Sequence, residues 1–210
     1  MASAPTLPPV PVTSSGPRVA RAVSVVIAVV VAVVGCGSGS AGQHPQALPH
    51  GQKSLPQAVT AAPAPGGPQA IIIRGRTIPL VPVKTTPAGA LLPPADVSLL
   101  GWWVDSALPG HGGTTVIAGH INDVQQGPGV ASSFAHLNVG ETVTLTGAQG
   151  NSWRYAIIAV RSYDKRGQLP VGQLNRLDGP RELALVTCGG AFIGGPLGYQ
   201  DNDIAWASPS

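Results

Sequence analysis

The sequence predicts a mainly β, barrel-like domain over residues 71–210, preceded by a different kind of chain. Two observations carry this. From Ile71 onward, short runs of alternating or β-branched apolar residues are separated by clusters of Gly, Pro, Asn and Asp, the signature of strands and turns. The helical candidates between them, 95–100, 130–137 and a turn at 171–174, are too short for βαβ units. Composition sets the boundary: 16 of the 22 prolines precede Asp96, while all nine acidic residues lie from Asp96 to Asp203.

Residues 1–36 read as an export and anchoring segment. Arg18 and Arg21 precede an apolar run, Ala22 to Val34, broken only by Ser24. A positive flank before an apolar core is an export signal, and the positive-inside rule puts everything after the run outside the cell. The run is shorter than the about 20 residues that cross a hydrocarbon core of ~30 Å. Two anchors therefore fit. Val33-Val34-Gly35-Cys36 resembles the lipobox of bacterial lipoproteins, in which Cys36 receives lipid. Alternatively, the run extends through the following Gly, Ser and Ala as an ordinary signal anchor. Residues 37–70, rich in Gly, Ala, Gln and Pro with 63–68 reading Pro-Ala-Pro-Gly-Gly-Pro, lack the apolar surface to offset ordering entropy and read as a tether.

In the 71–210 domain the expected strands are 71–74, 78–83, 114–118, 141–146, 153–162, 182–187 and 203–207. The six basic residues up to Lys84 face no acidic ones, whereas from Asp96 six basic face nine acidic, so the folded part is near −3. That balance, with no run of Lys or Arg longer than two, excludes a nucleic-acid partner. Scattered acidic residues and the lack of His or Cys pairs at ligand spacing argue against a metal, and no cofactor is expected.

The chain has two cysteines, and Cys36 belongs to the anchor, so Cys188 is a lone thiol outside the cell. A buried inert Cys and a reactive one both fit that fact. Its context favours the second. Strand 182–187 delivers Cys188 to a flexible Gly189-Gly190 turn, a sheet rim where a nucleophile is rigidly held and open to substrate. A thiol needs a cationic neighbour or a base to act as nucleophile. Of five histidines, His44 and His50 lie in the tether, His111 in a Gly-rich turn, and His136 in a short helix where packing is its expected role. His120 follows the end of strand 114–118, and could meet Cys188 on one rim.

Leu100-Gly101-Trp102-Trp103, the run from Pro109-Gly110-His111 to Ala118-Gly119-His120, and Leu185-Val186-Thr187-Cys188-Gly189-Gly190 together resemble the sortase family, in particular its actinobacterial class E and class F branches. The resemblance spans residues 71–207. It implies a closed eight-stranded barrel with short helices, an enzyme tethered to the extracellular face of the cell membrane of a Gram-positive, actinobacterial-type cell and acting at its cell wall, and a cysteine transpeptidase, with hydrolysis as the default when no amine is present. In that picture Cys188 attacks an LPXTG-like sorting signal of a secreted protein to form a thioester. An amine acceptor, such as a peptidoglycan cross-bridge or a pilin lysine, then releases it. His120 protonates the leaving amine, and Thr187 and Trp102 are candidate substrate contacts, although core packing is the stronger expectation for Trp102.

One position departs from the pattern. The family's third catalytic residue is an Arg after the Cys, but no Arg follows Arg181; the nearest equivalent is Gln200. A neutral amide donates hydrogen bonds without the charge, and loss of one oxyanion donor costs about 10²–10³ in turnover in other systems. Three readings stay open: Gln200 serves as donor, Arg154 or Arg176 folds into the site, or the protein is a non-catalytic or impaired peptide-binding lipoprotein that keeps the fold.

Overall fold

The computed structural model describes residues 58–210 except Gln168 and Pro196; the anchor run, Cys36 and most of the tether lie outside the described residues. Eleven strands run in chain order: β1 (Val59–Thr60), β2 (Pro68–Ile73), β3 (Arg76–Lys84), β4 (Leu100–Trp103), β5 (Gly113–Ala118), β6 (Asn122–Asp123), β7 (Gly127–Pro128), β8 (Thr142–Gly147), β9 (Ser152–Asp164), β10 (Arg181–Gly194) and β11 (Gly198–Pro209). The order β3-β2-β8-β9-β11-β10-β5-β4 closes on itself through a parallel β3–β4 pairing, giving an eight-stranded barrel to which β1 adds on β3. Closure removes the exposed sheet edges that would otherwise template aggregation.

Alternation divides each strand between two environments. Ile71, Ile73, Leu145, Ile157, Leu183, Leu185, Ala205 and Ala207 point into the barrel, where the 3-10 helix Val130–His136 adds Ala131 and Phe134, both fully buried. The opposite face of β4, β5, β10 and β11 carries Trp103, Val116, Ala184, Ile204 and Trp206. It is covered by Leu91 and by Leu174 of α1 (Val171–Leu174). This second layer matters for function, because its residue parity continues to the ends of the same strands.

Residues 95–100, expected to be helical, are not. Asp96 accepts hydrogen bonds from the Ser98 amide and hydroxyl at 2.8 and 2.6 Å, forming a turn, and Leu100 already begins β4. A short polar side chain bonding its own backbone two residues on competes with helix formation. No helix among the described residues is long and apolar enough to cross a membrane.

Candidate functional site

β5 and β10 run parallel, and their last pair is Ala118 with Val186. His120 and Cys188 each lie two residues further, so both emerge from the same face at the same end. The ladder is prolonged past its formal end: the Gly119 N–H donates to the Val186 carbonyl at 3.0 Å, and the Thr187 hydroxyl donates to the Gly119 carbonyl at 3.0 Å. Side chains alternate, so Thr187 and Gly119 turn inward while Cys188 and His120 turn out. Two glycines let the chain sit this closely. A Cβ on Gly119 would stand 2.3 Å from Leu100 Cδ2, and one on Gly129 would stand 2.1 Å from the His120 carbonyl oxygen.

Cys188 is half-buried and unpaired. His120 is also half-buried, and its Nε2 has no hydrogen-bond partner among the described residues. The Pro93 backbone hydrogen-bonds the ring, while Nε2 is a buried atom with no partner among the described residues, Cys188 Sγ included. Burial pushes the His120 pKa below its ordinary 6.5, more than Asp123 and the Pro93 bond raise it. The neutral imidazole is thus the favoured form at neutral pH, and it can accept a proton.

On the other side of Cys188 stands β11, with Asn202 opposite Cys188. Beyond it is β9, which pairs Asn202 with Tyr163 and Asp201 with Asp164. The Lys165 N–H donates to the Gln200 carbonyl at 3.2 Å, so these two residues face each other just past the ladder. Parity puts Lys165 on the face of Tyr163, and Gln200 on that of Asn202 and Ile204. The Lys165 ammonium reaches back across β11 to donate to Cys188 Sγ at 3.4 Å and to the Leu197 carbonyl at 3.1 Å. The sequence reading missed Lys165 because it ended the strand at Ser162. The signal was present in the continued alternation of Arg161, Tyr163 and Lys165.

The tip of the β10–β11 hairpin rims the site. Phe192 is 69% exposed and packs edge-on against Tyr199, ring centroids 5.2 Å apart. Asn122 Nδ2 donates to the Tyr199 hydroxyl at 2.8 Å, tying the loop after His120 to this hairpin. None of these three was singled out from the sequence.

Other expected residues lie elsewhere. Thr187 and Trp102 are each 2% exposed, the former engaged with Gly119 and the latter packed under Gly67. Arg154 sits opposite Thr144, towards the other end of β9. Arg176 pairs with Glu182 at 2.7 Å, six residues before Cys188 and so about 20 Å back along β10. His136 is exposed, not packed, and its carbonyl accepts from Arg74 at 2.8 Å. A shallow cavity of about 360 Å³ includes His111, Gly110 and Trp153 in its lining, but it opens before the start of β5, at the end opposite Cys188. Among the described residues no group of His, Cys, Asp or Glu is placed to hold a metal ion.

Comparison with known proteins agrees with this arrangement of strands. A family model described as sortase domain matches residues 74–210. Sortase A from Corynebacterium diphtheriae superposes with a TM-score of 0.51 at 18% identity, over 67% of this chain and 59% of that one. Sortase C1 from Streptococcus agalactiae superposes with a TM-score of 0.51 at 18% identity, over 71% of this chain and 70% of that one. This chain thus spans less than two thirds of the diphtherial protein. No curated protein sequence matches it.

Proposed function

The chain belongs to the sortase family, and from that premise we propose that it is an extracytoplasmic cysteine transpeptidase acting on an LPXTG-like sorting signal, with Cys188 as nucleophile and His120 as proton carrier. The observation that carries the reading is the parallel register that brings a half-buried thiol and an unpartnered imidazole nitrogen to one strand end.

The chemistry follows from those two groups. His120 Nε2 takes the thiol proton, and the sulfur adds to the scissile carbonyl carbon. The tetrahedral adduct collapses by breaking the C–N bond, and the departing amine takes the proton from His120, leaving a thioester. An incoming amine adds to the thioester and gives its proton to His120; the C–S bond breaks and Cys188 recovers the proton. Water in place of the amine gives hydrolysis. A buried, neutral imidazole suits the first step, since it must accept before it donates.

The test is incubation with LPXTG-type peptides and an amine donor, followed by mass. A thioester adduct at Cys188 and an amide product are expected from the wild type and neither from Cys188→Ala. Peptide binding without adduct, across signal variants, would sink this reading. It would favour the alternative motivated by Gln200, a sortase-fold surface protein that binds peptides without catalysis. Tethering through the anchor in 1–36, on the outer face of the cell membrane, belongs to the same proposal. If Cys36 carries lipid, Cys36→Ala loses both the lipid mass and membrane fractionation; retained fractionation instead favours a signal anchor.

A further inference from the structure

We propose that Lys165 is a catalytic residue of this site, its ammonium holding the negative charge that develops on the Cys188 sulfur and on the carbonyl oxygen attached during attack. The proposal rests on the transpeptidase reading above. It differs from the family pattern in source: the cation comes from the end of β9, two strands away from Cys188, and not from the strand that follows the nucleophile.

The contact is the first reason. Lys165 Nζ stands 3.4 Å from Cys188 Sγ, and the Leu197 carbonyl at 3.1 Å holds it there. Its backbone is fixed in turn by the Gln200 carbonyl at 3.2 Å. An oxyanion formed on attack lies only two bonds from the sulfur, within reach of the remaining N–H donors of a flexible ammonium.

Among the described residues no ion pair engages this charge. Among the described residues the ion pairs are Arg74 with Glu141 and Arg176 with Glu182, and Lys165 has no carboxylate partner. Of the acids at this end, Asp164 accepts from the Arg166 amide at 2.8 Å and Asp203 accepts from the Ser162 hydroxyl, while Asp201, opposite Gly189, forms no ion pair with Lys165. Lys165 is half-buried, so its field is less screened by water than that of a surface lysine.

The register explains why Lys165 and Gln200 belong together. They face each other across the β9–β11 pair, so a cation lost at one position can be supplied at the other. The arrangement becomes a row: Lys165, then the sulfur, then His120, with charge stabilisation on one side and proton transfer on the other.

The test uses the full chain, with alkylation read at Cys188 by peptide mass. Iodoacetate is anionic and iodoacetamide neutral, so the ratio of their rates reads a cation at the sulfur independently of peptide chemistry. Lys165→Met is expected to lower that ratio about three- to tenfold and Lys165→Arg to restore it. Turnover of an LPXTG-type peptide should fall about 10²–10³-fold in Lys165→Met, recover to within about tenfold in Lys165→Arg, and recover in part in the double variant Lys165→Met/Gln200→Arg. Should Lys165→Met not fold, Lys165→Gln keeps a polar N–H donor, one atom shorter, and removes the charge; it should show the same fall in ratio. An unchanged ratio, or turnover within about twofold of wild type, overturns the role of Lys165 alone. A wild type that forms no thioester with any signal overturns the transpeptidase reading and the catalytic role with it.

Discussion

The hydroxyl of Thr187 donates to the carbonyl of Gly119 at 3.0 Å, joining the residue before Cys188 to the residue before His120. This bond lies inside the barrel, one position past the last β5–β10 pair. It adds to the backbone bond from the Gly119 N–H to the Val186 carbonyl in fixing how far apart the two strand ends stand.

Thr187→Val keeps the shape and removes that donor, leaving a buried carbonyl short of a partner. A loss of about 1–3 kcal/mol in denaturant unfolding is expected. Acylation should suffer more than stability, because misplacing a reacting pair by about 1 Å can cost 10²-fold. Thr187→Ser should retain most activity. If Thr187→Val acylates Cys188 at the wild-type rate, the strand ends are held by something else.

Gly129 supports His120 from its other side. Its amide donates to the Ile121 carbonyl at 2.8 Å, and a Cβ there would meet the His120 carbonyl oxygen at 2.1 Å. Neither partner is a flexible side-chain end, so Gly129→Ala must move backbone. Overpacking of this kind costs about 1–3 kcal/mol, and the displaced segment carries His120. Thermal melting and thioester formation should both fall, and a variant that melts as wild type but fails to acylate would isolate the positioning effect.

The barrel was legible because short β-branched and apolar runs are bounded by turn residues and alternation survives in places: in Thr142-Val143-Thr144-Leu145-Thr146, Val143 and Leu145 announce an inner face by position alone. β4 was not legible as a strand. All four of its residues are buried, so the alternation that marks a half-exposed strand is missing, and Asp96-Val97-Ser98 upstream imitated a helix start. Cys188 and His120 stood out in the sequence because each follows a recognisable strand and a glycine neighbours it. Lys165 was hidden for a different reason. Its importance arises from a pairing between β9 and β11 that spans 35 residues, and local pattern carries no record of that register.

His120 gives the molecule a distinct pH response. Its pKa in the folded protein lies below 6.5 because burial disfavours the charged ring. The unfolded chain then binds the proton more readily than the folded one. The stability contributed is fully present above about pH 6.5 and is lost as the pH falls from there through the folded pKa. Asp96, Asp123 and Glu141, all shifted downward, add their own losses only at lower pH, below their ordinary 3.8 to 4.5. Denaturant midpoints measured from pH 7.5 to 5 should decline more steeply for wild type than for His120→Gln. Parallel curves would mean that the ring titrates as it does in the unfolded chain.

A glycine pair offers the sharpest control on local packing beside the thiol. Gly189 follows Cys188 and faces inward, where Asp203 occupies the space its side chain would take: a Cβ would lie 2.2 Å from Asp203 Cγ and Oδ2. Asp203 is 9% exposed and accepts from Ser162, so Gly189→Ala must push a buried carboxylate off its donor or bend β10 at Cys188. Either route leaves polar groups poorly matched, at a cost of about 1–3 kcal/mol. Gly172, in α1, has open space where a Cβ would go and no positive φ. Gly172→Ala should therefore be neutral or stabilise by up to about 1 kcal/mol, through the entropy of the unfolded chain. The two variants differ from wild type by the same added methyl, so equal unfolding midpoints would show that Asp203 yields freely and that the floor beneath Cys188 is softer than its contacts imply.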